Sequence, residues 1–126
     1  MNEFVLDASA LLALLNNEDG ADKVQSRLSN GIISSVNVAE VVTRLTAIGM
    51  PIAEIGNVLS VLGIVIIPFD DQQAYITGEL YSQTSHLGLS LGDRACLALA
   101  RMEDCIALTA DRAWAKLELD IKVELI

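Results

Sequence analysis

The sequence predicts an α/β fold: a single-domain α/β/α sandwich over residues 1–126, with a central, mostly parallel, five-stranded sheet. Three observations carry this. Short apolar runs alternate with longer segments whose apolar residues recur every three to four positions, the order of a parallel sheet covered by helices. One run, Ile64 to Phe69, is continuous and β-branched, as expected of a strand buried on both faces. At 126 residues and 52% hydrophobic content, the chain is long enough for one domain with a real core and too short for two of ordinary size.

Phe4-Val5-Leu6 reads as the first strand, ending at Asp7, and Ala8 to Leu15 is a run of strong helix formers. Asn16 to Gly20 is a turn. Ala21 to Leu28 resumes a helical pattern, with Val24 and Leu28 four apart, until Asn30-Gly31 closes it. Ile32-Ile33 with Ser34 makes a second strand, and either Ser35 or Asn37 can cap the helix running through Glu40 to Ile48. Gly49-Met50-Pro51 separates it from a helix over Ile52 to Leu62, whose apolar residues keep helical spacing behind a first-turn proline. After the third strand, Asp70 or Asp71 can cap a long helix through Tyr75, Leu80 and Tyr81. Ser90 can cap another over Leu91 to Met102, with Asp93 in its first turn. Ile106 to Thr109 is a fourth strand, Trp114 and Leu117 mark a one-to-two-turn helix, and Ile121 to Ile126 alternates like an edge strand. Chain order then sets the strand ends Asp7, Ser34, Phe69 and Thr109 along one edge of the sheet.

Composition narrows the function classes. Seventeen acidic against eight basic residues leave a net charge of -9, which disfavours a broad phosphate-gripping surface. Contact with nucleic acid must then be local, metal-mediated or shared with a partner. Met1-Asn2-Glu3 lacks the positive start of a secretory signal, and the apolar stretches Leu11 to Leu15 and Val58 to Phe69 are too short to span a bilayer. A soluble, cytoplasmic protein with no membrane segment is expected. Cys96 and Cys105 have no CxxC spacing and no histidine cluster, so they read as buried free thiols.

Four acids stand where a strand or helix terminus would aim them at one point: Asp7, Glu40, Asp93 and Asp111. In α/β folds the crevice at the carboxyl ends of parallel strands is the usual ligand site. Asp7 is the strongest single case, wedged between an apolar strand and an apolar helix. Glu40 lies among Val36, Val38, Ala39, Val41 and Val42, so it needs an ion or a partner, and Arg44 four residues on is the structural alternative. Asp93 taken alone serves equally as a helix-start acid. Converging carboxylates repel one another unless a cation offsets them. Magnesium or manganese, which prefer oxygen ligands, would allow phosphodiester hydrolysis without a covalent intermediate. Ser9 and Thr109 can orient such carboxylates by hydrogen bonding, or serve only as cap and turn residues. The lone His86 has no second histidine to work with and reads as a surface or turn residue.

Val5-Leu6-Asp7-Ala8-Ser9-Ala10, Asn37-Val38-Ala39-Glu40-Val41, the stretch from Leu89 to Ala100 around Gly92-Asp93-Arg94, and Leu108-Thr109-Ala110-Asp111-Arg112-Ala113-Trp114 occur here in order. With these, essentially the whole chain resembles a PIN domain, specifically the VapC-type toxin ribonucleases. The resemblance implies a PIN-like fold and a Mg2+- or Mn2+-dependent endoribonuclease that cleaves RNA as the toxin of a toxin–antitoxin pair. It implies that Asp7, Glu40, Asp93 and Asp111 are the acidic active-site residues. Asp7 and Asp93 would be the most direct metal ligands, Glu40 a metal ligand or an aid to water activation, and Asp111 a second-metal or water-mediated ligand. Ser9 and Thr109 match supporting hydroxyl positions. It further implies a homodimer and a cognate antitoxin whose Arg or Lys could pair with the carboxylates. Leu11, Leu14, Leu15, Ile48 and Ile55 are candidates for the docking groove, or for the core. Arg94 and Arg112, each directly after a candidate ligand, are candidate RNA phosphate contacts or surface ion-pair partners. Trp114 is a candidate base-stacking residue, or a core or dimer contact.

Two other phosphate-handling classes fit less well. A receiver domain needs an acidic pair after strand one and a lysine after the last strand, whereas only Asp7 stands here and Lys116 and Lys122 are misplaced. A haloacid-dehalogenase-like phosphatase needs a second aspartate where Ser9 stands. A third reading keeps the PIN-like fold and makes the chain a catalytically inactive binding module, its acids holding a structural ion or a basic peptide.

Overall fold

A computed structural model describes all 126 residues, Met1–Ile126. The strands are β1 (Phe4–Leu6), β2 (Gly31–Ser34), β3 (Val65–Ile67), β4 (Ile106–Thr109) and β5 (Val123–Leu125). The helices are α1 (Ala8–Leu15), α2 (Ala21–Arg27), α3 (Ser35–Ala47), α4 (Ile52–Leu62), α5 (Asp71–Glu79), α6 (Tyr81–Thr84) and α7 (Leu91–Glu103). Short 3-10 turns cover Leu28–Asn30, Ser85–Leu87 and Arg112–Lys116. The sheet order is β3-β2-β1-β4-β5, and all four pairings are parallel. The α/β/α sandwich expected from the sequence is therefore present, with a wholly parallel sheet.

Side-chain alternation along the strands divides the core in two. Val5, Ile32 and Ala107 are in register and join one cluster with Leu80, Trp114 and the buried residues of α7. Leu6, Ile33 and Leu108 join the other, against residues of α1, α2, α3 and α4. Trp114 is thus a core residue, 1% exposed, and is not open to an RNA base. Leu11 and Ile55, candidates for a docking groove, are buried in this second core, while Ile48 remains 74% exposed. His86 is exposed, in the 3-10 turn Ser85–Leu87, and Cys96 and Cys105 are free and buried. No helix is long and apolar enough to cross a membrane.

Several local expectations shift. The third strand shortens to Val65–Ile67 and is not covered on both faces. As an edge strand it pairs only with β2 and leaves Val65 and Ile66 half exposed. Helix α3 is capped by Ser34, whose hydroxyl accepts from Val36 N, one residue before the expected Ser35 or Asn37. Ser35 instead accepts from Phe69 N, tying α3 to the end of β3. The helix expected through Tyr81 starts at the Asp70 cap and divides at Leu80 into α5 and α6.

The strand order places the switch point at β1 and β4. Chain connections run outward to β2 and β3 on one side and to β5 on the other. The crevice outside the carboxyl ends of β1 and β4 is where such sheets bind ligands. Asp7 follows β1 there, and Thr109 ends β4.

Candidate active site

Asp7 is fixed by its backbone before its side chain does anything. Its N–H continues the β1–β4 ladder by donating to Leu108 O at 2.9 Å, and its carbonyl accepts from Ala10 N at 3.1 Å to begin α1. The carboxylate is therefore spared from capping α1 and lies 3% exposed in the crevice. Two hydroxyls aim it. Ser9 Oγ donates to Asp7 Oδ2 at 2.7 Å while accepting from Ala110 N, and Thr109 Oγ1 donates to Oδ2 at 3.0 Å while accepting from Asp111 N. The turn-forming and carboxylate-orienting roles weighed for these residues are one arrangement: loop N–H groups hold the hydroxyl oxygens, which lie 3.2 Å apart, while the acceptor-only Asp7 carboxylate takes their protons. Asp7 Oδ1 takes no protein hydrogen bond.

Glu40 reaches the same crevice from α3. Its expected alternative, an ion pair with Arg44, is not formed. Asn37, one turn earlier and fully buried, donates from Nδ2 to Glu40 Oε1 at 2.8 Å and to Gly92 O at 3.0 Å. One amide thus clamps α3 to the first turn of α7. The Glu40 carboxylate lies directly over Gly92, where any Cβ would collide with both its oxygens. Sequence reasoning weighed Asn37 only as a cap and did not single out Gly92. The available signal was a glycine in a helix first turn, a residue that weakens helices unless close approach requires it.

Asp93 enters from α7. Its Oδ2 accepts from Ser90 N at 2.9 Å and Ser90 Oγ accepts from Asp93 N at 3.2 Å, a reciprocal capping box. The helix-start role of Asp93 is thereby present, and this cap also holds the carboxylate at the pocket.

Asp7, Glu40 and Asp93 line one pocket of about 860 Å³, together with Ser9, Ser90, Gly92 and Ala110. Asp111 does not. Its Oδ1 accepts from Ala113 N and caps the 3-10 turn beyond β4, leaving it exposed beside the pocket. Arg94 is also turned away: its Nη1 donates to Thr77 O at 2.9 Å and its guanidinium lies 5.3 Å from the centre of the Tyr81 ring. It holds α7 against α5, as its place on the α5-facing side of the helix dictates. Arg112 is exposed at the start of the 3-10 turn.

Burial pushes the Asp7 carboxyl from 3.8 up to about 6 against the opposing Ser9 and Thr109 hydrogen bonds, and the charges of Asp93 and Glu40 push the same way. Burial likewise drives the thiol of Cys96, on α7, well above its ordinary range, with Asp7, Asp93 and Glu40 adding to it, so it stays a neutral packing group. The donor set suits a hard divalent cation: carboxylate oxygens, one of them buried at an electrostatic cost that a cation would remove. No three of the acids, histidine or cysteines stand close enough together to form a finished metal cage.

The fold and pocket define a class: a parallel α/β domain with carboxylates from β1, α3 and α7 gathered at its switch point. The chain belongs to the PIN-domain family, whose model matches residues 4–119. Solved structures with the same fold include DNA-bound VapBC from Salmonella typhimurium, at 20% identity over 98% of each chain with TM-score 0.70. VapBC2 from Rickettsia felis, bound to a promoter DNA fragment, matches at 17% identity over 98% of each chain with TM-score 0.74. VapBC-5 of Mycobacterium tuberculosis, a member of a toxin–antitoxin family, matches at 22% identity over 100% of this chain and 98% of that one, with TM-score 0.62. At these identities the likeness is one of fold. No functionally curated protein matches the chain in sequence.

Proposed function

We propose that residues 1–126 form one PIN domain that acts as a divalent-metal-dependent endoribonuclease, the toxin of a toxin–antitoxin pair in the cytoplasm. The observation that carries it is the buried, electrostatically strained Asp7 facing Glu40 and Asp93 in one pocket at the switch point. Its fold neighbours come from VapBC toxin–antitoxin systems, which supports the biological setting.

In this reading Asp7 and Asp93 would hold Mg2+ or Mn2+, Glu40 would serve as a further ligand or as an aid to water activation, and Asp111 would act through water or toward a second ion. When bound, the ion would supply Lewis-acid activation and neutralise charge on the scissile phosphate. The chain's own part is orientation. Ser9 and Thr109 fix one Asp7 oxygen and leave the other for the ion, and Asn37 does the same for Glu40, whose Oε2 takes no protein hydrogen bond. Beside the acids, Leu12, Val36, Leu45, Ile48 and Leu91 line an apolar wall of the same pocket. An antitoxin segment pairing apolar residues with an Arg or Lys would cover both halves. A homodimer completes the proposal.

The receiver reading is set aside, because the family match and the order β3-β2-β1-β4-β5 differ from the 2-1-3-4-5 order of flavodoxin-like sheets. The catalytically inactive module has one observation in its favour: Asp93 is already employed as a cap. Incubating the chain and an Asp7→Ala control with total cellular RNA and Mg2+ or Mn2+, then mapping new 5′ ends, decides between them. Discrete ends lost in the variant and with chelator are expected. Folded, antitoxin-free protein that makes none with either metal would leave the binding module.

A further inference from the structure

We propose that Arg44 is the phosphate-binding residue of this pocket, holding the RNA backbone beside the bond to be cut. The inference rests on the ribonuclease reading and adds to it the residue that lets a chain of net charge -9 hold a polyanion. Of the eight basic residues, Arg27 pairs with Glu124, Arg101 with Glu79 and Asp120, Lys23 donates to Leu125 O, and Arg94 is held at Thr77 and Tyr81. Arg112 and Lys116 are exposed and unpaired in the 3-10 turn after β4, but neither lines the acidic pocket. Lys122 lines a separate pocket at the opposite edge of the sheet, beside Phe4 and Ile106. Arg44 is the one cation among the residues lining the acidic pocket. It is exposed and takes part in none of the protein's salt bridges or side-chain hydrogen bonds.

The fold leaves it free for a specific reason. Glu40 and Arg44 have the spacing of a helix ion pair, yet Asn37 binds Glu40 and draws it onto Gly92 of α7. The guanidinium thus stays available one turn farther along α3, on the lining of the same pocket. A guanidinium also offers paired N–H donors that match two phosphate oxygens. A cation in the last turn complements the helix dipole as well, but that contributes to stability and not to RNA affinity.

The test uses a fluorescein-labelled single-stranded RNA containing a cleavage site mapped with the wild-type chain. Binding is measured by anisotropy across a salt series in Mg2+, in an Asp93→Asn background that does not cut. Adding Arg44→Gln is expected to weaken binding about three- to tenfold. It should also lower the slope of log affinity against log salt by about 0.7, the value of one phosphate contact on a single strand. Arg44→Lys should keep the slope and lose part of the affinity, whereas Lys122→Gln should change neither appreciably. In the cutting protein, Arg44→Gln should raise KM with kcat nearly unchanged. Wild-type protein that cuts RNA while Arg44→Gln matches wild type or Lys122→Gln in affinity and slope overturns this inference alone. Wild-type protein that cuts no RNA overturns the ribonuclease reading, and this one with it.

Discussion

Burying the Asp7 carboxyl works against folding once it ionises. Its folded carboxyl titrates near 6 against 3.8 ordinarily, so between those values the folded chain holds more protons than the unfolded one. Stability therefore falls as pH rises through that window. For metal-free protein the loss attributable to Asp7 is about 3 kcal/mol, complete by pH 7 and absent below 4. Asp7→Asn should remove this slope, raise the metal-free melting temperature at pH 7 and abolish cleavage. Urea unfolding at several pH values in chelator measures it, and an unchanged slope in the variant would show that the strain lies elsewhere. Gly92 makes a complementary prediction. Alanine there improves helix propensity but drives its Cβ into the Glu40 carboxylate, the movable end of a side chain. Gly92→Ala should change stability by less than about 1 kcal/mol while lowering metal-dependent cleavage roughly ten- to a hundredfold. At this scale the acids were readable because their type and position pointed to a site. Asn37 was not, because an asparagine after a strand reads as a cap until a second helix supplies Gly92 O as its other acceptor.

Asp93 of α7 is a helix cap that lines the pocket, and under the proposed function the capping box lets the structural and catalytic roles be separated. Ser90→Ala removes the hydroxyl that accepts Asp93 N and should cost about 1 kcal/mol in stability. Asp93→Asn keeps an oxygen for Ser90 N, so it should unfold within about 0.5 kcal/mol of wild type yet lose cleavage. Denaturant midpoints paired with RNA cleavage test both, and an active Asp93→Asn would reduce this acid to a cap. Helix positions and types were legible because periodicity and caps are local. Burial was less so. The run around β3 has the composition of an interior strand, yet it forms an edge because nothing pairs beyond it. Arg94 follows a site residue in sequence, but the helical turn of about 100° per residue carries it to the α5 side.

For the whole molecule, the pocket's unbalanced charge predicts linkage between metal, protons and stability. Mg2+ or Mn2+ should raise the melting temperature in proportion to the logarithm of its concentration once the site saturates. Apparent affinity should increase as pH rises through about 6, because Asp7 must ionise to bind. Calorimetry in both metals at pH 5 and pH 7.5 checks this, and a melting temperature indifferent to metal at both would remove the ion from the proposal. The sequence by itself determined the α/β class, the mostly parallel sheet, a helix cap at Asp70 or Asp71 and one at Ser90, and the acids at element ends, because each follows from local hydrophobic period and local hydrogen-bonding chemistry. Only the tertiary structure decided which acids share a pocket. Strand order put β1 beside β4, so that residues about a hundred positions apart, Ser9 and Thr109, converge on one oxygen of Asp7. The packing of α3 on α7 brought Glu40 over Gly92, while the turn after β4 faced the Asp111 side chain toward its own backbone. Such relations depend on which element packs against which, and no single stretch of chain contains them.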